Sequence, residues 1–285
     1  MARVEQGMVS VAAPAPAKRA APQVPQFVRS LGWGLVSWAP VIVLLIVWEA
    51  VARSGLVTPF SLPSLSRIFM RMGSDLMSGD LPIAVGLTLW RALAGFIASA
   101  VVGIAIGLAM ARSRFFMWFF DPIVSVGFPV PKIAFLPIFA MWFGFFDTSK
   151  IVMIAFNTIF PIITATAVGV AGVEKEIIWS ARNLGTRERE MLWEILLPAA
   201  LPQIFTGLQV ALPIALIVGI LTEMAMGGYG IGGSMQTASR MADSLGVFAG
   251  IVEIAIVGYA LVKLMAVLRR RLLMWHQEAQ EPTTV

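Results

Sequence analysis

The chain has 285 residues, 58% of them hydrophobic and only 13% charged, with 21 Lys and Arg against 16 Asp and Glu for a formal charge of +5. That apolar share exceeds what the core of a water-soluble domain of this length takes up, so a protein embedded in a membrane is implied. With no Cys and a single His, His276, zinc and cysteine chemistry have no residues to work with. The positive charge clusters beside the apolar runs, where anionic lipid accounts for it without nucleic acid.

In chain order, residues 1–30 are rich in Ala and Pro and lack the basic, apolar, small-residue order of a cleaved signal peptide, so they read as a disordered cytoplasmic tail. Residues 31–285 then form one transmembrane domain with apolar runs at about 33–52, 83–110, 123–145, 151–171, 204–226 and 245–268. Each is about long enough to cross a hydrocarbon core of roughly 30 Å as a helix. Helices are expected because these runs lack the two-residue alternation of barrel strands, and a helix satisfies its own backbone in lipid. The fold class is therefore an all-α membrane protein with six spans.

Between the first two runs, Ser64 is placed to cap a short helix whose Leu65, Ile68, Phe69, Met72 and Leu76 share a stripe. That stripe either lies on the outer membrane surface or packs on the bundle. In the second run Gly95, Ser99, Gly103 and Gly107 recur every four residues and strip one helix face of bulk, the strongest packing signal in the chain. Packing within the subunit is favoured over an interface with a second copy.

Lys132 stands in the third run among Pro129, Pro131 and Pro137. An ionisable group at that depth faces protein or water. It lies beside the path of an anionic substrate, or it bonds the carbonyls that the broken helix leaves free. Asn157, Gln209 and Glu253 are further deep polar groups, each suited to an interhelical hydrogen bond, and Asn157 and Gln209 join Lys132 as candidates for the substrate path. Glu223, beside Thr222, completes that set: it precedes the glycine-rich 227–233 loop, which could be an outer gate, a surface that receives a partner, or a plain exposed turn.

The segment 173–202, VEKEIIWSARNLGTREREMLWEILLPAALP, is too charged for lipid. Ile177, Ile178, Ala181 and Leu184 share one face of a first helix, Glu174, Lys175 and Arg182 lie mostly away from it, and Ser180 and Ala181 stand just before Gly185. Gly185 offers the left-handed conformation that ends it, and Thr186 can cap a second helix that begins with Arg187. Ile195, Leu197 and Pro198 lead that second helix back to the membrane. A bent, charged helix pair held between two spans is suited to passing a rigid-body movement into the bundle.

Threading six spans with the N-terminus inside puts fourteen Lys and Arg in the cytoplasm and six outside, the six being Arg53, Arg67, Arg71, Arg91, Lys150 and Arg240, with Lys132 inside a span. Both termini and the 173–202 loop are then cytoplasmic.

Gly185 followed after nine residues by Ile195-x-Leu197-Pro198 resembles the ATPase-docking loop, with its coupling helices, of permease subunits in binding-protein-dependent ATP-binding-cassette (ABC) importers. The group that handles sulfonates, taurine, nitrate and related anions is the most similar. LPSLSRI, TLWRALAGFIASAVVGIAIGLAMARS, FPVPKIAFLPIFAMWFGFFDTSKI and TEMAMGGYGIGGSM extend the likeness over about residues 56–270. Trp179 and Ser180 stand where Glu and Ala are usual, which puts in doubt the contact that the glutamate makes.

The resemblance implies a type I importer permease of the bacterial inner membrane that works with two ATPase subunits, a periplasmic substrate-binding protein and a second permease, a homodimer being the better expectation. ATP and Mg would be bound by the partner ATPase, and this chain would hold no cofactor or metal. No G-x-x-x-x-G-K-[ST] loop occurs in the sequence, and 227–233 lacks the lysine such a loop needs. No catalytic residue is expected, since a carboxylate dyad would need a partner for Glu253. An ion-coupled secondary transporter is the rival reading; it would show internal repeats, and none is evident.

Overall fold

The computed structural model describes the backbone over residues 26–274 and side chains over 38–274, so most of the expected tail, 1–30, and His276 lie outside the described residues. The chain divides into two compact units, Met1–Ala50 and Val51–Val285. The first contains most of α1, Gln26–Arg53, with Pro40 inside it.

In the second unit, every regular element among the described residues is helical. Four stretches are long and apolar enough to cross a membrane: α3 (Asp80–Arg112), α6 (Asp147–Ala171), the stretch Glu188–Met226 that ends in α9 (Leu197–Met226), and α11 (Ser244–Leu272). The expected third span, 123–145, is not one helix. Its place is taken by α4 (Arg114–Gly127) and by a 3-10 turn, Lys132–Phe135, followed by α5 (Leu136–Phe143), and the two halves meet at 94°. Pro129 and Pro131 remove two N–H donors within three residues, and the helix breaks there, whereas single prolines are carried inside α1 at Pro40 and inside α9 at Pro202 and Pro213.

α3 and α6 run parallel and in close contact because the small-residue stripe admits the second backbone. A Cβ on Gly95 would come within 2.6 Å of Ile154 Cγ2, one on Gly103 within 3.0 Å of Ile162 Cγ2, and one on Gly107 within 2.5 Å of Thr166 Cβ. At the fourth position Ser99 accepts a 2.7 Å hydrogen bond from Thr158. The stripe is thus filled from within the chain. α9 returns antiparallel along α6, with Gly207 seated on Ala165. Met153, Ile154, Ile162, Phe205, Ala211, Leu212 and Ala215 form the buried centre. Lipid supplies no hydrophobic drive between helices, so this close packing is what holds them together.

The shorter helices lie at the two ends. α2 (Leu65–Ser78) buries Leu65 and Ile68 and leaves Phe69 and Leu76 exposed, so only part of its stripe packs on the bundle. Ser64 is its N-cap by position, but its side chain makes no capping bond. α10 (Ile231–Arg240) sits at the same end as α2. At the other end are α7 (Lys175–Asn183), α8 (Glu188–Glu190) and a π-turn, Met191–Leu196, that runs into α9.

Candidate functional site

Two polar clusters occupy opposite ends of α3, about 30 Å apart at 1.5 Å per residue. The first is built around Arg91, only 4% exposed in the first third of α3. Its guanidinium donates to Glu223 Oε1 at 2.7 Å, to Asp147 Oδ1 at 2.9 Å and to the Tyr229 carbonyl at 2.5 Å. Glu223, fully buried, also accepts from Thr88 Oγ1 at 2.9 Å and from Gly232 N at 3.1 Å. Thr88 accepts in turn from Ile231 N at 3.0 Å, and Lys150, 2% exposed, donates to the Gly227 carbonyl at 2.7 Å.

One network therefore ties α3, α6 and α9 to the glycine loop. That loop takes positive φ at Gly227, Gly228 and Gly230, and a Cβ on Gly230 would collide with the Glu223 carboxyl beneath it. A buried ion pair is tolerable when its remaining lone pairs and protons are satisfied, as they are here.

The burial of Arg91 is the feature the charge count does not give: it falls within the second apolar run, where a charge at depth is itself a signal of a buried partner. Lys150 likewise has its ammonium folded under the loop.

The other substrate-path candidates are placed as follows. Lys132 donates to the Phe128 carbonyl at 2.9 Å and the Val130 carbonyl at 3.4 Å, and its ammonium lies 4.6 Å from the Phe160 ring centre. Asn157 bonds within its own helix, to the Met153 carbonyl. Gln209 accepts from Arg269 at 3.1 Å, joining α9 to α11. Glu223 is closed into the Arg91 network, and the structure does not bring these four side chains together into one site.

The second cluster is the 173–202 loop. Thr186 N donates to the Ala181 carbonyl at 3.1 Å and Gly185 N to the Arg182 carbonyl at 3.0 Å, closing α7 with Gly185 at φ +82. The cap of the next helix is Arg187, not Thr186: Arg187 N donates to the Glu190 side chain at 2.9 Å. The expected apolar face is only partly buried. Ala181 is 6% exposed and Ile178 half-buried, but Ile177 is exposed, and so is Leu184, because α7 ends at Asn183 and leaves Leu184 outside the helical stripe.

Ala181, Met191, Leu196 and Ala200 pack against Leu108 and Val170, seating the loop on α3 and α6. Glu188 ties it further, pairing with Arg112 at the end of α3 and with Arg182 of α7 at 3.7 Å. Hydrogen bonding and charge from Arg112 hold the Glu188 carboxyl below the usual glutamate range, with Arg182 adding a smaller effect. Apart from its chain neighbours, no atom lies within 4 Å of where a Gly185 side chain would begin, and the same loop leaves Ile177, Trp179, Leu184 and Trp193 exposed.

Helices long and apolar enough to span a membrane, joined by internal ion pairs and carrying a charged loop seated on two of them, define a multi-pass membrane protein. Comparison with known proteins makes this specific: residues 99–274 match the family described as binding-protein-dependent transport system inner membrane component, and the chain belongs to it. It is 33% identical over 243 residues to the taurine transport system permease protein TauC of Escherichia coli, covering 84% of this chain and 88% of that one.

The putative aliphatic sulfonates transport permease protein SsuC of Bacillus subtilis is 31% identical, covering 82% and 84% of the two chains. The nitrate import permease protein NrtB of Synechocystis is 32% identical, covering 79% and 84%. Among solved structures, a chain of the inward-facing MetNI methionine ABC transporter matches with a TM-score of 0.53 at 17% identity, covering 67% of this chain and 98% of that one, a likeness of fold. The protein is thus a multi-pass permease subunit of an ABC importer.

Proposed function

We propose that this subunit forms the path for a small anion of the sulfonate, taurine or nitrate kind, with ATP and Mg bound by a separate ATPase that docks on the 173–202 loop. The observation that carries the docking role is the loop's construction. It exposes Ile177, Trp179, Leu184 and Trp193, while its buried side is fixed to α3 and α6 and runs through a π-turn into α9. A push on that surface reaches three spanning helices together. The named relatives that carry taurine, sulfonates and nitrate support an anionic substrate.

Lys132, at the break between α4 and α5, is the candidate that best fits contact with such an anion, since it is the one cation of the four and stays partly exposed although the Phe128 and Val130 carbonyls accept from it. A periplasmic binding protein would deliver the substrate, and two copies of this chain would face each other. The loop and both termini are then cytoplasmic and the Arg91 end faces the periplasm of a bacterial inner membrane. Burial of Arg91 and Lys150 against carboxylates and carbonyls favours this orientation, because two of the six outer charges are neutralised inside the bundle.

Reconstitution of the chain in liposomes with its ATPase tests the reading. Gly185→Trp is expected to abolish ATPase association and coupled transport, whereas Gly185→Ala, which imposes the same left-handed backbone strain without the bulk, is expected to retain both. Unchanged association in Gly185→Trp would overturn the docking role.

A further inference from the structure

At the Arg91 end, α2, α10 and α11, with the first turns of α3 and Gly228 and Tyr229 of the glycine loop, line an open cavity of about 500 Å³. That volume is in the range of small-molecule sites. Its wall carries four carboxyl groups, Asp75, Asp80, Asp243 and Glu253, against a single cation, Arg71. The cation is already committed: Arg71 pairs with Asp75 at 3.0 Å and with Asp243 at 3.1 Å. Asp243 also caps α11 by accepting from Gly246 N, and Asp80 accepts from Ser78 at 2.8 Å.

Glu253 stands apart from the other three. It is 9% exposed, the charges that act on it are those of Asp75 and Arg71, and it makes no hydrogen bond or ion pair among the described residues. Its oxygens are not among the sealed-off atoms without a partner and so open on the cavity, where a cation bearing N–H groups supplies the charge and the hydrogen bonds that the protein does not.

We propose that this cavity binds a primary ammonium group, with Glu253 as its principal partner and the neighbouring aspartates holding the surrounding potential negative. A bare metal ion does not fit, because the described residues contain no group of three or more acidic, His or Cys side chains placed to hold one. A transported anion does not fit either, since Arg71 is spent on two aspartates and the wall is acidic. A free amine and an aminophospholipid headgroup share this chemistry. The inference does not depend on the docking role or on the anionic substrate.

The test is calorimetric titration of ethanolammonium chloride into the full chain held in nanodiscs of phosphatidylglycerol alone, which contain no amine. Saturable binding is expected that equal concentrations of sodium chloride do not displace, weakened about tenfold or more by the isosteric Glu253→Gln, which removes the charged acceptor. Ala238→Leu, which narrows the cavity without touching a charge, is expected to weaken it too, and keeps the test decisive should Glu253→Gln fail to fold. No saturable binding to the wild type, or affinity unaltered in both variants, would overturn the proposal. Nanodiscs that also contain phosphatidylethanolamine separate the sources: a fall in wild-type affinity identifies the headgroup as occupant, and an unchanged affinity identifies a free amine.

Discussion

At one end of the bundle Arg91 and Glu223 pair with side-chain exposures of 5% and 0%; at the other, Arg112 and Glu188 pair with exposures of 36% and 61%. The partners are alike and the surroundings opposite. Buried charges that lose one partner face the full cost of desolvation, whereas an exposed pair gives up only a weak, salt-screened attraction. The Arg91 network is accordingly a fixed joint between three helices and a loop. The Glu188 pairs are an adjustable seat, suited to a surface that a soluble partner engages and moves.

The sharpest test of this contrast is Arg91→Ala, which leaves Glu223 buried among Thr88 and the loop amides without its cation. A loss of about 3–5 kcal/mol is expected, read as a large drop in the thermal unfolding midpoint of the purified chain. Replacing both partners together, Arg91→Met with Glu223→Leu, is expected to recover much of that loss. A single variant as stable as the wild type would mean that the two ends do not differ in kind.

The joint and the seat are linked by the α3–α6 contact. Gly107→Leu would press a side chain into Thr166 and the Ile163 carbonyl, 2.9 Å from the new Cβ, so a loss of about 1–3 kcal/mol is expected. Gly86→Leu, on the same helix with nothing within 4 Å, is the control, with an expected change within about 0.5 kcal/mol. Equal effects at the two glycines would show that the parallel contact is looser than its geometry.

At the seat itself, Gly185→Ala puts a Cβ on a residue at φ +82 with open space around it, so only backbone strain of about 1–2 kcal/mol is expected. ATPase coupling should survive that change although it does not survive tryptophan, since alanine adds one methyl group to the docking surface.

The spanning helices were legible because lipid forces long apolar runs, and the fold class followed from them without reference to packing. The small-residue stripe was legible as a close contact, since glycine every fourth residue has few other uses in an apolar helix. The 94° bend was only half legible: Pro129 and Pro131 mark a break, but no local signal gives the angle at which two halves meet. The burial of Arg91 was missed because a count of loop charges weighs sign and ignores depth. Leu184 was misassigned for a related reason: a helical stripe extrapolated by one residue runs past a glycine-closed end, and Leu184 then points to solvent. Glu188 drew no notice, since its partner Arg112 lies 76 residues away in sequence and only the fold joins them.

The smallest expected effect belongs to Glu188, and it carries a sign. Because Arg112 lowers its pKa in the folded chain, its contribution to stability is fully present above the unfolded glutamate value of about 4.3. That contribution is lost as pH falls through the depressed folded value. Wild type and Glu188→Gln are therefore expected to differ slightly in unfolding midpoint at neutral pH and to converge in acid, with the neutral-pH gap also shrinking in high salt. Arg91→Ala should show no comparable salt dependence, because its pair with Glu223 is shielded from solvent. A gap at Glu188 that persisted in acid and in salt would mean that the residue acts through packing of the loop and not through its charge, and the seat would then be as fixed as the joint.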